Sequence, residues 1–223
     1  SSGTVTAMQT LRQATIRDAR TVAEDGSLWM FEFQGNNAGG GMFNVLVPPY
    51  DDVRVRRGLI MATRQDAIIA ALGGEGISEP ATQLYAEDSP WYSEEAAEAY
   101  ASYDFDGAMA LLEDYINDAD RSDGKAVGEK LDVVLSCPPD PTLIAAMEVT
   151  QQFWNETGLV NTELTAFDQA THINMALGMG NEFRGEHEVH CWRWGSESDP
   201  GGENSGSAPW ETSPFNFSNW HDP

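Results

Sequence analysis

The apolar positions of this chain follow two rhythms, one near every second residue over short runs and one near every third or fourth over longer runs. The switches between them predict the elements. Phe43 to Val47 is apolar and β-branched enough for a buried strand, and Pro48-Pro49 stops it. Asp51 or Asp52 then offers a carboxylate to the free N–H groups of a new helix. Val55, Leu59 and Ala62 lie on one helical face; Ile68, Ile69 and Leu72 continue after Asp66, before Gly73-Gly74 ends the run. Upstream, Thr6 to Ala14 has a short helical pattern, and an Asp25-Gly26 turn separates two strand candidates, Ile16 to Val22 and Leu28 to Phe33. The stretch Gly35 to Gly41, GNNAGGG, reads as a solvated loop, because it lacks the G-x-G-x-x-G spacing of a phosphate cradle.

From Gly73 to Asp104 the chain is irregular, with a short helix over Ser93 to Ala101. Asp104 then caps a helix carrying Ala108, Leu111, Leu112 and Tyr115 on one face. The remainder is regular: a strand Lys130 to Cys137, a helix Pro141 to Thr157 stopped by Gly158, and a strand Val160 to Phe167. A helix capped by Asp168 runs through Leu177, and a strand spans Glu188 to Trp194. Strand, helix, strand, helix, strand with short connections implies parallel pairing and right-handed crossovers. The predicted fold class is therefore α/β, an open mixed or parallel sheet flanked by helices. Ligands of such sheets bind beyond the carboxyl ends of the strands, here the segments PPDP, FDQ and WRWGSESDP.

The sequence around the first of these helices resembles a known family. A strand bearing Phe43 and Asn44 leads into Pro48, Pro49, Asp51, Asp52, Val53, Val55 and Arg56, then Leu59, Ala62 and the Ala67-Ile68-Ile69 helix. This is similar to the large extracellular solute-binding proteins of bacterial ABC importers, the dipeptide/oligopeptide-binding family (family 5). Arg64-Gln65 departs from the Asp-Arg or Asn-Lys usual before the AII helix. The D-x-x-x-A-x-x-LL helix from Asp104, the strand exit at Trp194, and the closing FNFSNWHDP extend the likeness over roughly residues 42 to 220.

The resemblance implies a periplasmic-binding-protein-like (type II) lobe, with residues 1–46 the end of a first lobe with hinge-crossing strands and 47–223 a second lobe truncated at its end. It implies capture of peptides or a related small solute in a cleft between two lobes, delivery to an ABC transporter permease, a place in the periplasm or outside the cell, and no enzymatic activity. Asp199 matches the aspartate that pairs with a ligand's amino terminus, a charge-assisted contact, and competes with a plain Asp-Pro turn. Trp194 stands where aromatic cleft walls are found, with Trp192 on the same face of the strand. Phe43 and Asn44 complete the expected ligand-binding set. Thr142 to Glu148 holds no basic residue for a peptide carboxylate, which argues against strict dipeptide recognition.

Charge narrows the partners further. The 223 residues carry 36 acids against 12 bases, a formal charge of -24, with Lys125 and Lys130 the only lysines. Nucleic acid and anionic membranes are excluded as natural partners, and such a surface suits solubility and a salty medium. No run reaches the length of a membrane helix. The chain opens Ser-Ser-Gly without methionine and reads as a cut or processed piece, acting as a monomer. Cys137 and Cys191 fit either one bridge or two buried thiols.

Three other chemistries have partial signatures in the sequence. Asn117 to Glu129 echoes a calcium loop but places Asp123 where glycine is needed, and reads as an acidic turn. His187 and His190 beside Cys191 suggest zinc, yet on a strand they point to opposite faces; they read as satisfied or exposed histidines, leaving no metal or cofactor expected. Glu197, Asp199 and Glu203 among tryptophans suit a glycoside hydrolase, with an oligosaccharide-binding member of the same fold as the nearer alternative. No G-x-S-x-G or H-E-x-x-H occurs.

Overall fold

A computed structural model describes residues 6–33, 37–177, 187–195 and 216–220. Helix α1 (Gln13–Ala23) overturns the reading of Ile16 to Val22 as a strand. Its half-buried positions 13, 16, 20 and 23 recur at helical spacing, and Arg20 reaches the Gly76 carbonyl at 3.0 Å while pairing with Glu32. Leu28 to Phe33 belongs to no strand among the described residues. Strand β1 (Asn37–Phe43) is a second correction, since it occupies the glycine stretch read as a loop, whereas the expected strand beyond Phe43 gives way to turns. Glycine has poor intrinsic strand propensity, and the ladder with a partner overrides it. At Gly41 the glycine is required, because a Cβ would meet Val189 Cγ1 at 2.8 Å.

Helix α2 (Val53–Met61) starts at Asp52, whose carboxylate accepts from the Arg54 N–H at 2.7 Å. Helices α3 (Gln65–Ala71) and α4 (Glu94–Ala99) follow, then α5 (Phe105–Ile116), capped by Asp104. Strand β2 (Leu131–Cys137), helix α6 (Pro141–Glu156), strand β3 (Val160–Ala166), helix α7 (Gln169–Leu177) and strand β4 (Val189–Gly195) complete the predicted alternation. Asp140 caps α6 through the Thr142 and Leu143 N–H groups, and Gly158 ends it with φ 71°, a left-handed conformation that glycine adopts without strain.

The sheet order is β1-β4-β2-β3, with β2 parallel to both β3 and β4, and β1 antiparallel to β4. The mixed open sheet flanked by helices agrees with the expected class. One face, carrying Leu131, Val133, Leu135, Cys137, Val189 and Cys191, packs with α2, α5 and α6 into the main core. Gly58 lets α2 and α5 approach closely, since a Cβ there would lie 2.8 Å from Leu112 Cγ. Trp154 of α6 fills the space beneath them, and its indole N–H donates to the Leu59 carbonyl and Thr63 Oγ1, both at 2.9 Å.

The segment 117–129 is tied to the fold by its own side chains. Arg121 is buried, pairs with Asp123 at 2.7 Å, and donates to the Ala126 and Glu129 carbonyls. Asp118 pairs with Arg54, which also holds Asp52 and Asp114; these contacts raise the Arg54 pKa and hold the Asp52 carboxyl below its usual range.

The tight Leu112 contact sets an expectation for stability. Leu112→Ala should lower the urea-unfolding free energy by about 2–5 kcal/mol, while Leu46→Ala at an exposed position should change it by less than about 0.5 kcal/mol.

Candidate functional site: the overhanging end of strand β4

Because β2, β3 and β4 are parallel, their carboxyl ends lie on one edge of the sheet. The register pairs Leu135 with Val189 and Ser136 with His190, so Cys137 falls beside Cys191. These two cysteines form a disulfide with a Cα separation of 4.8 Å, which decides between the bridge and the pair of thiols. It joins the last residue of β2 to the middle of β4. Beyond it, Trp192 to Gly195 overhang β2 and are laddered only to Asn37–Gly40 of β1, which is the sheet's edge strand among the described residues.

This overhang is where side chains of different chemistry meet. Arg193 extends from the core-facing side of β4 towards Asp140, the cap of α6, with 3.9 Å between guanidinium nitrogen and carboxylate oxygen and both groups half-exposed. Trp192 lies on the opposite face, half-buried, with its ring 4.9 Å from Phe217 and stacked near His172 and His190. Across the ladder, Gly40 faces Trp192 and Gly39 faces Arg193. Chain neighbours aside, no atom of the described residues lies within 4 Å of a Cβ built at Gly40, so none of them fills the strip beside Trp192. Glycine inside a strand marks a place where another backbone can approach closely.

The other expected site residues are placed as follows. Phe43 is half-buried against the core, its ring 5.6 Å from Tyr50 and 6.3 Å from Trp154. Asn44 is fully buried; its amide donates to the His187 carbonyl at 2.9 Å, and its oxygen accepts from the Leu46 N–H and the Asn219 amide. It thus ties the end of β1 to both the start of β4 and the segment Asn216–Trp220. Trp194 lies within β4, but its side chain is outside the described residues, as are Asp199, Glu197 and Glu203.

His187 and His190 do not sit on opposite faces of one strand, as expected. His187 precedes β4, and its ring comes within 4.9 Å of His190, tilted by 58°. His172 of α7 joins them, stacked on His190 at 3.7 Å. Burial, followed by the neighbouring imidazoles, depresses the His190 pKa to about 3, and burial lowers that of His172. Among the described residues no group of three or more His, Cys, Asp or Glu side chains could hold a metal ion.

The overhang of β4, the place of Arg193 and the role of His172 are not legible in the sequence pattern. The signal for the histidines was present, since three of the chain's four fall between positions 172 and 190. The glycine stretch lacks the G-x-G-x-x-G spacing of a phosphate cradle, and it serves instead as a bare edge strand.

The sequence model of bacterial extracellular solute-binding proteins, family 5 Middle, matches residues 4–213. The chain belongs to this family. A dipeptide-binding protein of Escherichia coli (strain K12) is 28% identical over 188 residues, covering 82% of this chain and 32% of that protein. The chain therefore spans about a third of the length of that relative. Among solved structures, the oligopeptide-binding protein AppA from Bacillus subtilis, in complex with a nonapeptide, superposes with a TM-score of 0.73 at 14% identity, over 94% of this chain and 43% of that one. The ABC transporter substrate-binding protein CtaP from Listeria monocytogenes gives 0.71 at 20% identity, over 92% and 39%. These likenesses are of fold. The family is one of binding proteins, and none of the helices in the described residues is long and apolar enough to cross a membrane.

The disulfide closes a loop whose ends are 54 residues apart. Cys137→Ser with Cys191→Ser should lower the unfolding free energy by about 4 kcal/mol in the chain-entropy account. Urea denaturation of the oxidised protein and of the double variant checks it.

Proposed function

We propose that this chain forms one lobe of a two-lobed binding protein that captures peptides and hands them to the permease of an ABC importer, outside the cytoplasmic membrane. It carries out no reaction of its own and acts as a monomer. The observation that carries this reading is the open strip at the end of β4. Gly39 and Gly40 present a strand edge without side chains, next to a half-buried indole and an opposed pair of charges. A peptide is an extended chain of amide donors and acceptors with an ammonium at one end and a carboxylate at the other. It can add main-chain hydrogen bonds to an edge strand, with loose choice of side chain.

Within this proposal Trp192 and Trp194 form the aromatic wall and Asp199 takes the peptide ammonium. Arg193, loosely paired with Asp140, takes the carboxylate and so replaces the arginine lacking early in α6. Phe43 and Asn44 fix the end of β1 from behind, Phe43 through the core and Asn44 through its buried amide. Closure of the other lobe over the strip completes the site, and the permease reads the closed form. The kinship with a dipeptide-binding protein and the likeness to a fold solved with a nonapeptide both support a peptide over a sugar.

A thermal-shift screen of the two-lobed protein containing this chain tests the reading. A peptide at a hundred times its dissociation constant should add about 2.7 kcal/mol of stability. Asp199→Asn should weaken binding of peptides with a free amino terminus, and Arg193→Ala should weaken peptides relative to their C-terminal amides. Gly40→Val should leave the unliganded midpoint near the parent value, because its Cβ meets none of the described residues within 4 Å, and should abolish the peptide shift. A shift with oligosaccharides alone, unaffected by these variants, would overturn the peptide reading.

A further inference from the structure

Capture of a solute leaves the histidine stack without a task. The rings of His172, His187 and His190 are buried to 1%, 1% and 0% exposure on the side of β4 that faces α7 and the segment Asn216–Trp220. Each Nε2 lies near a backbone carbonyl: His172 to Cys191 at 2.9 Å, His190 to His172 at 2.9 Å, and His187 to Phe217 at 3.1 Å. A carbonyl only accepts, so each Nε2 carries the hydrogen and a neutral ring keeps a bare lone pair on Nδ1. For His172 and His190, whose parallel rings stand 3.7 Å apart, Nδ1 has no hydrogen-bond partner among the described residues. A proton added there would create a buried cation against a second imidazole, with no acceptor for the new N–H among the described residues.

Among the described residues, the groups around the stack offer no compensating charge. Just before β4, the Glu188 carboxylate is turned to the Tyr50 hydroxyl and the Val134 N–H, both at 2.9 Å, and on β4 Arg193 is directed at Asp140. Just before α7, Asp168 accepts from the Ala170 and Thr171 N–H groups of that helix. The ladder neighbours of His190 are Met42 and Ser136, and the closing segment contributes Asn216, Phe217 and Asn219. None of the described carboxylates is bonded to either imidazole.

We propose that the stack is a proton-sensitive latch: in its neutral form it clamps α7 and Asn216–Trp220 to β4 beside Trp192, and protonation of His172 or His190 releases them. This does not rest on the peptide reading. In the released state the imidazoles regain a pKa near 6.5, whereas in the closed state both are depressed, His190 to about 3. Groups with a depressed closed-state pKa here are histidines, which bind more protons when open. The latch is therefore at full strength above about pH 6.5 and weakens as the pH falls from there towards 3. Between pH 7 and pH 5 the opening constant rises about 25-fold through the release of His190, and release of His172 acts in the same direction.

Amide hydrogen exchange of the full chain at pH 7 and pH 5, corrected for intrinsic rates and held at fixed high salt to screen the acidic surface, tests this directly. Protection of α7 and β4 should fall at least about 25-fold more than protection of α5, and His172→Phe, which keeps a ring in the stack, should reduce that excess. The imidazole nitrogen resonances of His172 and His190 should stay in the Nε2–H neutral form in the closed state. The proposal is overturned if α7 and α5 lose protection equally, or if either imidazole titrates near pH 6.5 with α7 protection unchanged. Should His172→Phe fail to fold, the ratio measured on the parent chain still decides.

Discussion

The position of β4 between two unlike strands is the constraint on which the rest of the site depends. On one side β2 pairs with only the beginning of β4 before the disulfide fixes Cys191 to Cys137. On the other side β1 accompanies β4 along its whole length, from Phe43 opposite Val189 to Asn37 opposite Gly195. The consequence is a strand that continues past the end of the parallel sheet, supported by a ribbon that has few side chains. A longer β2 would cover Arg193 and Trp192, and a β1 with ordinary side chains would fill the strip next to them. Parallel sheets place their ligand sites beyond strand ends because there the backbone groups and helix starts are left uncovered. Here the overhang carries that edge outward.

The alternation of β4 then gives its two faces different work. Val189 and Cys191 enter the same core as Leu59, Leu112 and Trp154, where burial of apolar surface supplies most of the stability. His190 and Trp192 look the other way, onto a smaller layer built from α7 and the closing segment. That layer is polar in composition, and it is held by hydrogen bonds to backbone carbonyls together with ring stacking. Its strength depends on protonation in a way that the aliphatic core does not. Asn44 links the two layers, since its amide group bonds the approach to β4 and Asn219 of the closing segment at the same time.

The large acidic excess leaves its mark on how the few cations are used. Arg54 is shared among Asp52, Asp114 and Asp118, and Arg121 is buried with Asp123 while donating to carbonyls of the turn it closes. With three times as many acids as bases, a cation that serves several carboxylates relieves more repulsion than one in an isolated surface pair. Arg193 contrasts with these, because among the described residues its one contact is the long one to Asp140.

Local sequence determined much of this protein. Caps at Asp52, Ser93, Asp104 and Asp140 and the glycine stop at Gly158 act within a turn of their helices, and the β-α-β-α-β alternation of the second half follows from side-chain period alone. The signature from Phe43 to Ile69 was also sufficient for the family. What depended on contacts between distant residues was not legible. Ile16 to Val22 has β-branched residues that fit either state, and anchoring by Arg20 to Gly76 accompanies the helix. The glycine run became a strand only because β4, about 150 residues later, lies beside it. The bridge between Cys137 and Cys191 required a register that places two strands side by side, and the stacking of His172 on His190 required α7 to fold back over β4. Capping and periodicity are written in neighbouring residues, whereas strand pairing and burial of polar side chains are settled by whichever partner the fold brings up against them.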